Sequence, residues 1–332
     1  MDNRKLIWPA LCLLLLTAVF TGCAHREYQA DPYAAEFQRP TDELASFDYD
    51  RSPVPVKWKY QGLRSGCALY KVRFRVRDVE LIKEKVATAY LFVPLERNVR
   101  RPAVIILPPT GGNYNLMLSF GEYFAQRGFV ALVFKRRARF FKPDRELDYN
   151  TVLFRQAVID IRRCIDLLQQ QPYVDPERIG IMGVSLGAIL GQLAAEADPR
   201  IKSCVMLLGA SDLPQILVNS DYIVVRRLRK AIRERHDVSK KDLEQFARLQ
   251  LGEVDPYAYA DRIDPQSLLM INGYFDCIIK YSVAKDSWEN SGRPEMYVVP
   301  TGHYSSFLMM GYAYKRIQRH LCRTLDHPYI DP

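Results

Sequence analysis

The sequence predicts an α/β protein: a doubly wound, mostly parallel sheet with helices on both faces and a helical cap inserted in its second half. Short, wholly apolar runs at 103–107, 129–134, 179–184, 203–208, 267–271 and 296–299 read as strands buried on both faces. Helical stretches separate them. The clearest spans 154–168, where Phe154, Ala157, Val158, Ile161, Cys164, Ile165 and Leu168 share one face opposite Arg155, Arg162, Arg163 and Asp166. At 332 residues, 48% apolar and 26% charged, the chain is long enough for one large core and has ordinary globular composition.

The first residues stand apart from that core. Arg4 and Lys5 precede an apolar stretch over 6–20 that meets the small residues Thr21 and Gly22, the organisation of an export signal. The run is shorter than the ~20 residues a spanning helix needs and contains Pro9, so a cleaved signal over 1–22 is expected rather than an anchor left in place. The segment Phe20, Thr21, Gly22, Cys23 resembles the bacterial lipoprotein signal, in which the peptide is cut before a cysteine that receives acyl chains such as palmitate. That resemblance implies lipidation at Cys23 and attachment to a membrane. Ala24 after the cysteine implies the outer membrane, facing the periplasm.

The net charge of +9 suits a protein held near anionic lipid or drawing anionic substrates. Nucleic acid is not an expected partner for an exported lipoprotein. Of seven cysteines, Cys12 leaves with the signal and Cys23 is the acylation site, so Cys67, Cys164, Cys204, Cys277 and Cys322 remain. An oxidising compartment permits a disulfide, but Cys164 and Cys204 sit in apolar patterns and read as buried thiols. No Cys-x-x-Cys or Cys/His spacing points to a metal, and no cofactor is expected.

From 23 to 62 the chain is polar and aromatic, broken by Pro32, Pro40, Pro53 and Pro55, and reads as a tether into a domain over 63–332. Tyr70, Val72, Phe74 and Val76 then alternate with Lys71, Arg73, Arg75 and Arg77, the signature of an antiparallel edge strand with one wet face. A second β-rich run over 86–93 ends at Pro94. The segment 212–263 is too long for a plain crossover and is basic from Arg226 to Lys241. It reads as the helical cap, with a solvated helix pair that only packs as the other reading.

The chemistry concentrates at 180–187, GIMGVSLG, where Gly183, Ser185 and Gly187 fall between the 179–184 strand and a helix running to Ala197. A sharp strand-to-helix turn needs residues without bulk on both sides of a nucleophile, and it aims the helix N-terminus at developing negative charge. The longer stretch VDPERIGIMGVSLG resembles that of dienelactone hydrolases and prolyl-oligopeptidase-like esterases of the α/β-hydrolase superfamily. The resemblance covers about residues 65–325 and implies Ser185 as nucleophile, with its acid and its histidine following in that order.

Of five histidines, His25 precedes the serine, His236 lies in the basic cap, His320 in the final amphipathic helix and His327 in the tail. His303, in PTGHYSS after the 296–299 strand, is the expected base. Asp276, in INGYFD after the 267–271 strand, is the expected acid; Asp212, after the 203–208 strand, is the second choice. An aspartate at 276 would equally cap a helix starting near Cys277. Donors for a tetrahedral oxyanion are expected from the Leu186 N–H and from the PPTGG loop after the 103–107 strand. That loop resembles the His-Gly loop of esterases with Thr110 in place of His, implying Gly112, with Gly111 as the other choice, as second donor. The expected activity is serine hydrolysis of a carboxylic ester through an acyl-enzyme. Acyl transfer to an alcohol, peptide hydrolysis and a non-catalytic binding lipoprotein are the alternatives.

Overall fold

Six parallel strands at the centre of a ten-stranded sheet organise the chain, which a computed structural model describes at residues 26–30, 36–76, 85–96 and 98–331. The expected export signal and Cys23 lie outside the described residues. In chain order the strands are β1 Arg26–Tyr28, β2 Val56–Arg64, β3 Cys67–Arg75, β4 Val86–Pro94, β5 Arg101–Leu107, β6 Val130–Lys135, β7 Val174–Val184, β8 Ile201–Leu207, β9 Leu268–Gly273 and β10 Glu295–Val299. The helices are α1 Tyr114–Ala125, α2 Asp148–Gln169, α3 Leu186–Ala197, α4 Leu213–Asn219, α5 Ile223–His236, α6 Leu243–Leu251, α7 Tyr281–Asn290 and α8 Met310–Thr324.

The strand order is β1-β10-β9-β8-β7-β5-β6-β4-β3-β2. From β10 to β6 all pairings are parallel; β4, β3 and β2 on one side and β1 on the other pair antiparallel. The chain leaves β5 first to one side, into β6, and then returns to the other, into β7. This reversal leaves a crevice beyond the carboxyl ends of β5 and β7, where an open α/β sheet binds its ligand.

Alternate residues of the central strands feed two cores, as the wholly apolar runs require. Ile105 and Ile181 pack with Phe154, Val158, Ile161 and Leu193 of α2 and α3. Val104 and Ile106 pack with Phe120 and Phe124 of α1 and with Ile317 and Leu321 of α8. Helix α2 begins six residues before the predicted stretch, and β7 begins at Val174, before the apolar run that reveals it.

Two expectations are corrected. The segment read as a tether belongs in large part to the folded body. Arg26–Tyr28 pairs with β10, Phe47 is fully buried, and Tyr49 donates to Asp166 at 2.9 Å. Arg39 donates to the carbonyls of Ala195 and Arg262, and Arg163 to that of Ser52. Prolines remove donors but leave carbonyls, and carbonyls reached by arginines hold much of this segment down. The alternating strand β3 is not the edge, because β2 pairs outside it. β2 escaped periodicity because its residues are mostly exposed and show no buried face.

In the 212–263 segment, α5 and α6 bury Val225, Leu228, Ile232, Leu243, Ala247 and Leu251. Part of the basic run has a structural use: Arg229 donates to the carbonyls of Leu217, Val218 and Ser220 at the end of α4, and Arg235 to those of Pro143 and Arg145. At the base of this segment the buried Asp255 accepts from Leu213 N and Tyr257 N, and burial, with Asp212 nearby, pushes its carboxyl up to about 7. The folded chain therefore keeps a proton that the unfolded chain releases near pH 3.8. This group's contribution to stability is full below that value, falls as pH rises and is lost above about 7. Asp255→Asn retains an acceptor without the charge. It is expected to raise the melting temperature above pH 7 and to flatten its decline between pH 4 and 7; thermal scans across that range check this.

Candidate active site

The turn after β7 has the conformation its glycines require. Ser185 lies at φ 55°, ψ −120°, a region that a side chain enters only under strain. A Cβ on Gly183 would stand 2.0 Å from the Gly187 carbonyl oxygen, and one on Gly187 would stand 2.5 Å from that of Leu107. Neither position admits a side chain, because the obstacle in each case is backbone. The Ser185 N–H donates to Leu207 O at 2.8 Å, tying the turn to β8. Leu186 opens α3, so its N–H has no intrahelical acceptor.

Ser185, His303 and Asp276 come together at the carboxyl end of the sheet. His303 Nε2 is 3.1 Å from Ser185 Oγ, and His303 Nδ1 is 2.6 Å from Asp276 Oδ2. A carboxylate can only accept, so the imidazole proton sits on Nδ1 and Nε2 is left to take the hydroxyl proton. The other oxygen of Asp276, Oδ1, accepts from Ile278 N at 2.7 Å and Ile279 N at 2.9 Å. Asp276 therefore faces the histidine with one oxygen and holds its own loop with the other; the helix expected near Cys277 starts only at Tyr281, so Asp276 does not cap it. Phe275 N donates to Thr301 O at 3.0 Å, and Ser306 Oγ donates to His303 O at 2.8 Å, so the acid and histidine loops brace each other.

Asp212 is occupied elsewhere. Its Oδ1 accepts from Gln215 N at 3.0 Å as the cap of α4, and both oxygens lie 3.3 Å from Arg248. His320 is a buried structural residue between Glu295 and the Ser267 carbonyl, and its contact helps hold the Glu295 carboxyl down to about 2. His236 pairs with Glu146 at 2.7 Å, and His327 reaches Arg127 O at 2.8 Å. His25 lies outside the described residues. Cys67, Cys164, Cys204 and Cys322 are buried free thiols, whereas Cys277, beside the acid, is exposed and free.

The loop after β5 requires a correction. The Gly112 N–H is spent on Pro109 O at 2.9 Å, closing a turn in which Gly112 has φ +66°. Gly112 therefore has no donor to offer, and Thr110 and Gly111, which line the crevice beside Ser185, take its place as the loop's candidates. Sequence reasoning also missed Arg136, just after β6. Its guanidinium donates to the carbonyls of Pro109 at 3.0 Å and Thr110 at 2.5 Å, and lies 3.4 Å from that of Pro108. Three successive carbonyls held from one side set the orientation of the peptide planes between them. The only sequence signal was a basic residue directly after a buried strand, a position shared by many solvated arginines.

Comparisons with known proteins agree with this architecture. The Dienelactone hydrolase family matches residues 87–232, and the C-terminal domain of the BAAT / Acyl-CoA thioester hydrolase family matches 162–304. Thiohydrolase apmlB of Arthrinium phaeospermum is 31% identical over 143 residues, 42% of this chain and 43% of that protein. Polyketide transferase claH of Penicillium crustosum is 32% identical over 140 residues, 41% of this chain and 44% of that protein. The chain thus spans less than half the length of these relatives. Acetyl Xylan Esterase 1 from Thermoanaerobacterium sp. JW/SL YS485 superposes with a TM-score of 0.61 at 21% identity, covering 85% of this chain and 95% of that one. The fold is that of the α/β-hydrolases.

Proposed function

We propose that this α/β-hydrolase-fold chain is a serine hydrolase that cleaves a carboxylic ester. The observation that carries the reading is the unbroken relay from Asp276 through His303 to Ser185. Ser185 Oγ attacks the carbonyl carbon as His303 Nε2 takes its proton, and Asp276 stabilises the imidazolium. The oxyanion faces the Leu186 N–H and a donor from the Thr110–Gly111 stretch. Collapse expels the alcohol, which carries away the proton from His303. Water then attacks the acyl-enzyme by the same route, releasing the acid and restoring Ser185. The family matches and the esterase likeness support this class. A fluorophosphonate is expected to label Ser185 covalently, read by peptide mass spectrometry; undiminished labelling of Ser185→Ala would reject it.

The relative named as a polyketide transferase favours a second reading, in which an acceptor alcohol replaces water in the last step. Added alcohols forming new ester in place of free acid would distinguish transfer from hydrolysis.

The mature protein begins at Cys23, acylated and held at the outer membrane facing the periplasm, a proposal supported by the resemblance of Phe20–Cys23 to a lipoprotein signal. The N-terminal peptide of membrane-fraction protein is expected to start at an acylated Cys23 by mass spectrometry. A different mature N-terminus would refute it. Among the described residues no helix is long and apolar enough to cross a membrane.

A further inference from the structure

The crevice at Ser185 deepens into a cavity of about 300 Å³, and among the described residues that line it there is no lysine, arginine, aspartate or glutamate. Its walls are Leu207, Leu208, Ile271 and Val299 at the carboxyl edge of the sheet, with Met310 and Ala313 from α8. The polar side chains that interrupt this surface are in good part committed to the protein itself. Asn113 Oδ1 accepts from Leu116 N, Ser306 Oγ donates to His303 O, and Tyr312 donates to Glu27. The basic cap contributes Tyr222 alone, which stands before α5, and none of the residues from Arg226 to Lys241.

Two further features belong to the same surface. Leu208 lines the cavity at φ 54°, costly backbone for a branched side chain, and is pinned there by its N–H to Ile271 O at 2.7 Å. At the mouth, directly after the base, Tyr304 and Phe307 line the opening while remaining 72% and 66% exposed. Apolar area left in water at an entrance favours an apolar visitor.

We infer that the substrate is an ester whose larger group is an uncharged, apolar chain housed between the sheet edge and α8. This rests on the serine-hydrolase reading above and specifies what that site selects. A carboxylate would meet no lysine or arginine and a hydroxyl-rich sugar would meet mostly aliphatic wall, and burying a poorly paired polar or charged group costs far more than it returns. Each buried methylene, by contrast, gains about fourfold in kcat/KM. The cap's charge plays no part in recognition inside the cavity.

The test uses p-nitrophenyl acetate, butyrate, hexanoate and octanoate, a parallel series of alkyl acetates, and p-nitrophenyl hemisuccinate as the charged counterpart of butyrate. The expected result is a rise of about fifteenfold per pair of carbons along at least one series, and butyrate preferred over hemisuccinate by more than a hundredfold. In Ala313→Trp and Met310→Trp, two independent ways of filling the cavity, the octanoate-to-acetate ratio of the series that rises is expected to fall at least tenfold; the ratio, not turnover itself, is the readout. Flat profiles in both series, hemisuccinate within tenfold of butyrate, or an unchanged ratio in the folded variants would overturn the assignment. Turnover of acetate together with Ser185 labelling would leave the hydrolase reading standing in that event, whereas no labelling and no turnover of any ester would overturn both.

Discussion

Ser185→Ala and His303→Ala are each expected to lower ester turnover by about 10⁶-fold, about 8 kcal/mol of transition-state stabilisation, while leaving the melting temperature close to that of the wild type. The size follows from the geometry. Ser185 Oγ and His303 Nε2 stand 3.1 Å apart and in the proposed mechanism act as one unit, so removing either would remove the covalent route entirely. The double variant should therefore be hardly worse than either single one, a non-additivity that independent contributors would not show. What remains is the contribution of the oxyanion donors and of binding alone. Single-turnover hydrolysis of a chromogenic ester by the three variants measures this; losses that multiply would argue that the two residues do not share a step.

Asp276→Asn is expected to cost up to ~10⁴ in turnover, and Asp212→Asn less than tenfold. Asp276 Oδ1 is held by the N–H groups of Ile278 and Ile279, so the oxygen of an asparagine would stay there and turn its NH₂ toward His303 Nδ1. Nδ1 would then have to accept, the proton would move to Nε2, and the ring could no longer take the hydroxyl proton. Fold and loop are preserved and only the tautomer is lost. At Asp212 an asparagine still caps α4, and the partner it gives up, Arg248, keeps a 43% exposed side chain, so little is at stake. Paired kinetics at matched melting temperatures decide between them. The opposite ranking would move the acid to Asp212 and leave Asp276 as the residue that holds its own loop.

The legible parts of this molecule are those that depend on neighbours in sequence. Apolar runs such as 103–107 and 179–184 betray strands buried on both faces wherever they end up in the sheet. Gly183 and Gly187 betray a turn whose backbone leaves no room for a Cβ. Segments held by distant partners were illegible. Residues 36–64 carry no periodicity because their contacts are carbonyls met by Arg162, Arg163 and Arg262 and, at β2, a strand face left in water. From the sequence Gly112 is the preferred of the two glycine donors, but in the fold its N–H is spent on the Pro109 carbonyl.

By itself, then, the sequence determined the fold class, the elbow at Ser185 and the short candidate set for its base and acid. Local sterics and the order of strands suffice for those. Tertiary structure alone shows that Asp276 rather than Asp212 lies against His303, that Gly112 has spent its N–H, and which side chains line the cavity. Each of these turns on which hydrogen-bonding groups are already spent. Arg248 and Gln215 N occupy Asp212, Pro109 O occupies Gly112, and Arg136 holds the carbonyls of the loop. A donor or acceptor is available for chemistry only if no neighbour in space has claimed it, and such neighbours are set by packing across the sheet rather than by position along the chain.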